Sequence, residues 1–252
     1  MNLYVGTSGY SYKEWKGTFY PMALSAKGML HYYAERFRTV EINNTFYRMP
    51  KTSVLEAWAG EVPTDFKFVL KASRQITHMK RLKDAADSVS YLIEVAGALK
   101  DRLGALLFQL PPNLKKDVPR LRDFLTLLPP QRRTAFEFRH QSWFDEEVFG
   151  LLRDHQATLC IAEAETDRDV PFVATGNWGY PRLRRPDYGD EELKSWVKLV
   201  REQDWRDVFV FSTTIFRPFQ SLLLEILILY HFGISGPRRS AIVTTLRPRK
   251  LI

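Results

Sequence analysis

Short runs of β-branched, aromatic and other apolar residues recur along the chain, and between them lie longer stretches whose apolar positions return every three or four residues. The short runs read as strands and the long ones as helices, because a strand alternates its faces with a period of about 2 and a helix with a period of about 3.6. Eight strands are predicted: Leu3–Gly6, Val40–Asn43, Lys67–Lys71, Ala105–Leu110, Thr134–Arg139, Thr158–Glu163, Trp178–Arg182 and Asp207–Ser212. The helical stretches are Ala26–Phe37, Thr52–Gly60, Asp84–Leu99, Val118–Leu128, Glu146–His155 and Asp190–Gln203. Pro181 falls inside the seventh strand, where it removes a ladder hydrogen bond. Alternating strands and helices are the rhythm of βα units on a parallel sheet, and eight of them predict an α/β fold, a TIM-type (β/α)8 barrel. No Ser/Gly linker, composition break, short repeat or low-complexity segment divides residues 1–212, which are read as a single TIM-barrel-like domain.

A chain of 252 residues, 45% hydrophobic and 26% charged, can bury one full-sized core, which excludes disordered, collagen-like and small disulfide-stapled classes. A single cysteine, Cys160, cannot form an intramolecular disulfide, and Met1–Gly6 has neither the basic start nor the apolar stretch of a secretory signal. The expectation is a cytoplasmic protein. The longest apolar run, Leu222–Phe232, is interrupted by Glu225 and His231 and falls short of the roughly 20 residues that cross a bilayer, so no membrane association is expected. A net charge of +8 would favour a polyanionic partner, but residues 213–252 carry six basic side chains against Glu225 alone. The preceding residues hold 31 basic and 28 acidic side chains, a near balance that weakens the case for nucleic acid.

Barrel chemistry gathers where strands end and the following loops begin. The second strand ends Glu41-Ile42-Asn43-Asn44-Thr45, the third reaches Lys71, the fourth Gln109, the fifth Glu137-Phe138-Arg139-His140, the sixth Glu163 and the seventh Arg182. A period of two puts Glu41 with Asn43, and Glu137 with Arg139, on common faces. If those faces point inward, Glu41, Glu137 and Glu163 meet Lys71, Arg139 and Arg182, the near-neutral arrangement that buried charge requires. The cluster is read as functional; the alternative is an ion network that only fixes the barrel.

These residues carry a resemblance. The segments Gly6-Thr7-Ser8-Gly9-Tyr10-Ser11-Tyr12, Trp15, Phe19-Tyr20-Pro21 and Val40-Glu41-Ile42-Asn43-Asn44-Thr45-Phe46-Tyr47 resemble the YecE-like family, domain of unknown function 72. Ile76-Thr77-His78, Gln109-Leu110-Pro111-Pro112, Phe136-Glu137-Phe138-Arg139-His140, Ser142-Trp143-Phe144 and Arg182-Leu183-Arg184-Arg185 with Tyr188 agree with it in the same order. The resemblance runs from residue 1 to about residue 211 and implies a TIM-barrel-like fold with its site at the strand ends, without implying a reaction.

Tyr10, Tyr12, Trp15, Phe19, Tyr20, Phe46, Tyr47, Trp143 and Phe144 would bring aromatic rings to the barrel mouth, either to stack on a flat ligand or to pack together as a lid. Gly6-Thr7-Ser8-Gly9 could hold a phosphate on its amides, although it lacks the spacing of a P-loop or a dinucleotide fingerprint, and no cofactor is expected. Of five histidines only His78 and His140 fall in the predicted βα loops, a poor inventory for a metal, and none is assigned. His140, beside Arg139, is a candidate for proton transfer; Lys71 could polarise a substrate or act as a base; His78 could equally cap its loop. Cys160 reads as a buried, inert thiol.

Two functions compete. The first is an enzyme, a hydrolase or lyase acting on a small anionic, phosphate-bearing ligand. Glu41, Glu137 and His140 are its catalytic candidates, and Asn43, Lys71, Gln109, Arg139, Arg182, Tyr10 and Trp143 its substrate-binding ones. The second is a non-catalytic nucleic-acid-binding module, holding the backbone with Arg and Lys and stacking bases on the aromatics.

The resemblance also bears on the C-terminal tail. Relatives follow the last strand with Phe-Asn-Asn-Asp, where this chain has Phe211-Ser212-Thr213-Thr214-Ile215. The codons UUC UUC AAC AAC GAU, with one U lost from the second, become UUC UCA ACA ACG AU, which encodes Phe-Ser-Thr-Thr-Ile when U, C or A follows. Residues 213–252 are therefore read as an aberrant, frame-shifted tail in place of the last barrel helix. The alternative is a divergent eighth helix over Ser221–Phe232.

Overall fold

The computed structural model describes residues 1–163, 170–185 and 188–213. Its strands and helices follow in the order β1 (Asn2–Thr7), α1 (Met29–Ala34), β2 (Thr39–Ile42), α2 (Thr52–Glu61), β3 (Lys67–Lys71), α3 (Ala86–Ala96), β4 (Leu103–Gln109), α4 (Val118–Leu125), β5 (Thr134–Glu137), α5 (Glu146–Asp154), β6 (Thr158–Ala162), β7 (Trp178–Leu183), α6 (Asp190–Arg201) and β8 (Asp207–Ser212). All eight strands are parallel, in the order β1-β8-β7-β6-β5-β4-β3-β2. The eight predicted strands are thus all present, in a nearly closed barrel.

The seam lies between β1 and β2. Ser8 and Glu41 form a single bridge there, and the Gly9 amide donates to the Glu41 carbonyl at 2.8 Å. Below it the buried Tyr33 hydroxyl stands in for ladder bonds: it accepts from the Thr7 amide (2.8 Å) and donates to the Thr39 carbonyl (3.0 Å). Gly6 makes this approach feasible, since a Cβ at that position would lie 2.1 Å from the Thr39 oxygen.

Two apolar cores result from the strand alternation. One lies between strands and helices; the other fills the barrel with Val69, Ala105, Leu107, Ala135, Cys160, Ala162, Trp178, Tyr180, Phe209 and Phe211. Small residues on β4 to β6 face aromatics from β7 and β8, so the interior is packed rather than hollow. The lower end is closed by Asp207, which accepts from Asn2 Nδ2 at 2.8 Å and pairs with Arg133.

Differences from the predicted elements have local causes. The helix expected over Ala26–Phe37 is a 3-10 turn, Ala26–Gly28, running into α1. The stretch expected over Asp84–Leu99 begins late, since Asp84 takes a φ of 47°, and beyond Ala96 α3 tightens into a 3-10 segment from Gly97 to Arg102. β7 persists through Pro181, but its register with β8 passes from Gly179 directly to Arg182, as a residue without an N–H requires. The expectation for the tail falls, beyond Thr213, outside the described residues. Among the described residues no helix is long and apolar enough to cross a membrane.

Candidate functional site

The inward positions at the C-terminal ends of β2, β5 and β7 place Glu41, Glu137 and Arg182 together, each at most 4% exposed. Arg182 lies between the carboxylates: Nη2 contacts Glu41 Oε1 at 2.7 Å, and Nη1 pairs with Glu137 Oε2. Other donors add to this. Tyr180 OH donates to Glu41 Oε2 at 2.6 Å and Asn43 Nδ2 to Oε1 at 3.2 Å. Arg139 Nε donates to Glu137 Oε1 at 3.0 Å, and Arg184 Nη1 lies 3.7 Å from the same oxygen. Burial alone would raise the Glu137 carboxyl; Arg182, then Arg139, the Gln109 side-chain hydrogen bond and Arg184 outweigh it and hold the group at about 2.

Above this network opens a cavity of about 250 Å³ lined by Ser8, Tyr12, Asn43, Phe46, Tyr47, Lys71, Gln109, Arg139, Arg182, Arg184 and Thr213. Lys71 projects into it with Nζ 4.4 Å from the centre of the Phe46 ring, and it makes no ion pair among the described residues. Burial, reinforced by the positive charges of Arg182 and Arg139 and opposed by Glu137 and Glu41, lowers its ammonium to about 8. Asn43 Oδ1 is buried with no hydrogen-bond partner among the described residues, leaving an acceptor for a ligand. Among the described residues four cationic side chains line this space and two carboxylates lie beneath it. Among the described residues no three His, Cys, Asp or Glu side chains converge as metal ligands would.

Seven of the expected site residues meet here: Glu41, Asn43, Lys71, Gln109, Glu137, Arg139 and Arg182. The others are placed elsewhere. His140 caps a short turn, its Nδ1 accepting from the Ser142 amide at 3.1 Å and meeting Ser142 Oγ at 2.9 Å, and it does not line the cavity. Trp143 is fully buried, stacked on Phe138 at 4.8 Å, with its indole N–H donated to the Leu114 carbonyl at 2.7 Å. Tyr10 packs on Tyr33 and accepts from Tyr20 OH at its backbone oxygen. Glu163, counted with the central carboxylates, instead accepts from Trp196 Nε1 at 3.1 Å and pairs with Arg185 at 3.6 Å. Two contributors were not assigned from sequence, Tyr180 and Arg184. Both stand two residues from Arg182, so the strand period already put them on its face.

The sequence profile described as "Protein of unknown function DUF72" matches residues 4–217. The chain belongs to this family. Among DUF72 relatives, it is 30% identical to the UPF0759 protein YecE of Escherichia coli K12 over 143 residues, 56% of this chain and 50% of YecE. The matched region thus spans half the length of that relative. It is 24% identical to the UPF0759 protein YunF of Bacillus subtilis strain 168 over 226 residues, 82% of this chain and 76% of YunF. Among solved structures, a DUF72 family protein of Thermotoga maritima MSB8 matches with a TM-score of 0.79 and 27% identity, covering 90% of this chain and 99% of that one. Another, from Enterococcus faecalis V583, gives 0.73 at 16% identity over 93% and 97%, a likeness of fold alone.

Proposed function

We propose that the DUF72 barrel mouth binds a small anionic, phosphate-bearing ligand, and that Lys71 moves the proton in a hydrolase- or lyase-type reaction on it. The observation that carries this reading is the lining: Lys71, Arg139, Arg182 and Arg184 border one small cavity, and Lys71 makes no ion pair among the described residues. The carboxylates expected to act as acid and base have other work. Glu137, held at about 2, is no proton donor near neutral pH, and Glu41 is occupied by Arg182, Tyr180 and Asn43. Both position the cations. His140 is engaged in its cap and does not line the cavity, and Lys71, at about 8, is the lining group whose protonation changes near physiological pH.

A space of about 250 Å³ lies just under the roughly 300–1,000 Å³ of drug-sized sites and fits a phosphate with a few carbons attached. The nucleic-acid reading keeps one supporting observation: Tyr47 is 69% exposed at the rim, with the Arg74 guanidinium 6.0 Å from its ring. Calorimetric titration with inorganic phosphate and a panel of phosphate monoesters tests the first reading. Saturable binding that is weakened at least tenfold by Arg139→Met or Lys71→Met supports it, and no saturable binding by any of them refutes it. Binding of single-stranded DNA or RNA with a steep salt dependence, lost in Tyr47→Ala and intact in Arg139→Met, would select the module instead.

A further inference from the structure

Lys71 differs from the other cations at the mouth. Arg139, Arg182 and Arg184 all engage Glu137, whereas the Lys71 ammonium faces the cavity against the Phe46 ring. Arg182 has drawn both carboxylates to itself, so the positive charges act on Lys71 without a carboxylate in contact. A partly desolvated lysine crowded by cations is the arrangement that yields a nucleophilic amine. Beside it, Arg139 and Arg184 line the same small space and could take an anionic group, and Asn43 Oδ1 offers a buried acceptor. A ligand spanning these features carries an anion at one end and an electrophilic carbon at the other.

We propose that Lys71 forms a Schiff base with a short carbonyl compound bearing a carboxylate or phosphate group, the anion held by Arg139 and Arg184. This deepens, and rests on, the anion-site reading above by naming the substrate class. The neutral amine adds to the carbonyl carbon, the oxygen takes a proton to give a carbinolamine, and loss of water leaves the C=N bond. Once protonated, the imine nitrogen accepts the electron pair released when a bond to the adjacent carbon breaks, and later hydrolysis returns the carbonyl and the free amine. No oxidant or reductant is consumed. Titration of the amine is shaped by the groups facing Lys71: Arg182 and Arg139 favour the neutral form, Glu137 and Glu41 the charged one, and the neighbouring His78 feels the Lys71 charge in turn.

Reductive trapping tests the proposal on the full-length protein. The protein is incubated with pyruvate, or with dihydroxyacetone phosphate, and sodium cyanoborohydride, and adducts are mapped by peptide mass spectrometry. The expected product carries the mass of the probe less one oxygen atom, since water is lost and two hydrogens are gained. An amine at about 8 is neutral on the order of a hundredfold more often near neutral pH than an ordinary lysine, so adduct at Lys71 should exceed that at any other lysine by at least roughly tenfold. Labelling should fall when inorganic phosphate competes and vanish from that peptide in Lys71→Arg. Adducts spread evenly over surface lysines, unaffected by phosphate, would overturn the proposal. Saturable phosphate binding without any adduct at Lys71 would overturn the Schiff base alone and leave the anion site standing; absence of both would remove both readings. Because the wild-type protein carries the decisive measurement, a folding defect in Lys71→Arg would not obscure it.

Discussion

Replacing Arg182 by methionine removes the one cation shared by two buried carboxylates and tests whether the charge network is organised around it. Glu137 supplies the magnitude. Its carboxyl lies at about 2 against an ordinary 4.5, and at about 1.36 kcal/mol per unit this amounts to about 3 kcal/mol of stability, with Arg182 the first of the groups that lower it. A carboxyl lowered on folding stabilises the protein fully above its unfolded value, and that contribution is lost as pH falls from about 4.5 towards about 2. Arg182→Met strips Glu41 and Glu137 of their shared partner at sites almost without solvent, so a cost of about 3–5 kcal/mol is expected near neutral pH. Urea unfolding measures it. The gap between wild type and variant should then narrow as the pH is lowered, because the variant's carboxyls protonate more readily and have less to lose. A triple variant, Glu41→Gln, Glu137→Gln and Arg182→Met, should recover much of the loss, since neither buried carboxylate is then left charged without Arg182. A single variant within about 1 kcal/mol of wild type, or a gap unchanged between neutral and acid conditions, would refute the reasoning.

Tyr33→Phe removes the hydroxyl that joins Thr7 to Thr39 at the barrel seam and should cost about 1–3 kcal/mol in urea unfolding, leaving phosphate binding at the mouth unchanged. Lys71, lowered on folding from 10.5 to about 8, should make the protein more stable as pH rises between those values, because the folded form sheds its proton first; the rise should be absent in Lys71→Met. Resequencing the gene tests the tail: recovery of a base near the codon for Ser212 would restore Asn and Asp residues after β8 and the activity their loss impairs, whereas an unaltered reading frame in fresh DNA removes the frame-shift reading.

What the sequence disclosed follows from which physical signal each feature leaves in a linear chain. Strand period and strand-end position brought Glu41, Lys71, Gln109, Glu137, Arg139 and Arg182 to one mouth, because alternation is a backbone property that survives any choice of packing partner. Loop aromatics carry no such period. Trp143 looks in sequence as fit for a ligand as Tyr47 does, yet one spends its indole N–H on the Leu114 carbonyl inside the core and the other stands exposed at the rim. His140 is similar: beside Arg139 it reads as a proton-transfer group, yet its ring caps the turn through the Ser142 amide and hydroxyl. Glu163 ends its strand at the expected height but is claimed by Arg185 and Trp196, partners that belong to the segment after β7 and that no pattern within β6 could reveal. The roles within the cluster were hidden for a further reason. Three cations in a sequence look alike, and only the geometry shows Arg182 paired with two carboxylates while Lys71 faces the cavity without one. That asymmetry moves the candidate chemistry from the carboxylates to the lysine: tightly paired ions serve best as fixed scaffolding, and a group kept out of the pairing remains able to change its charge.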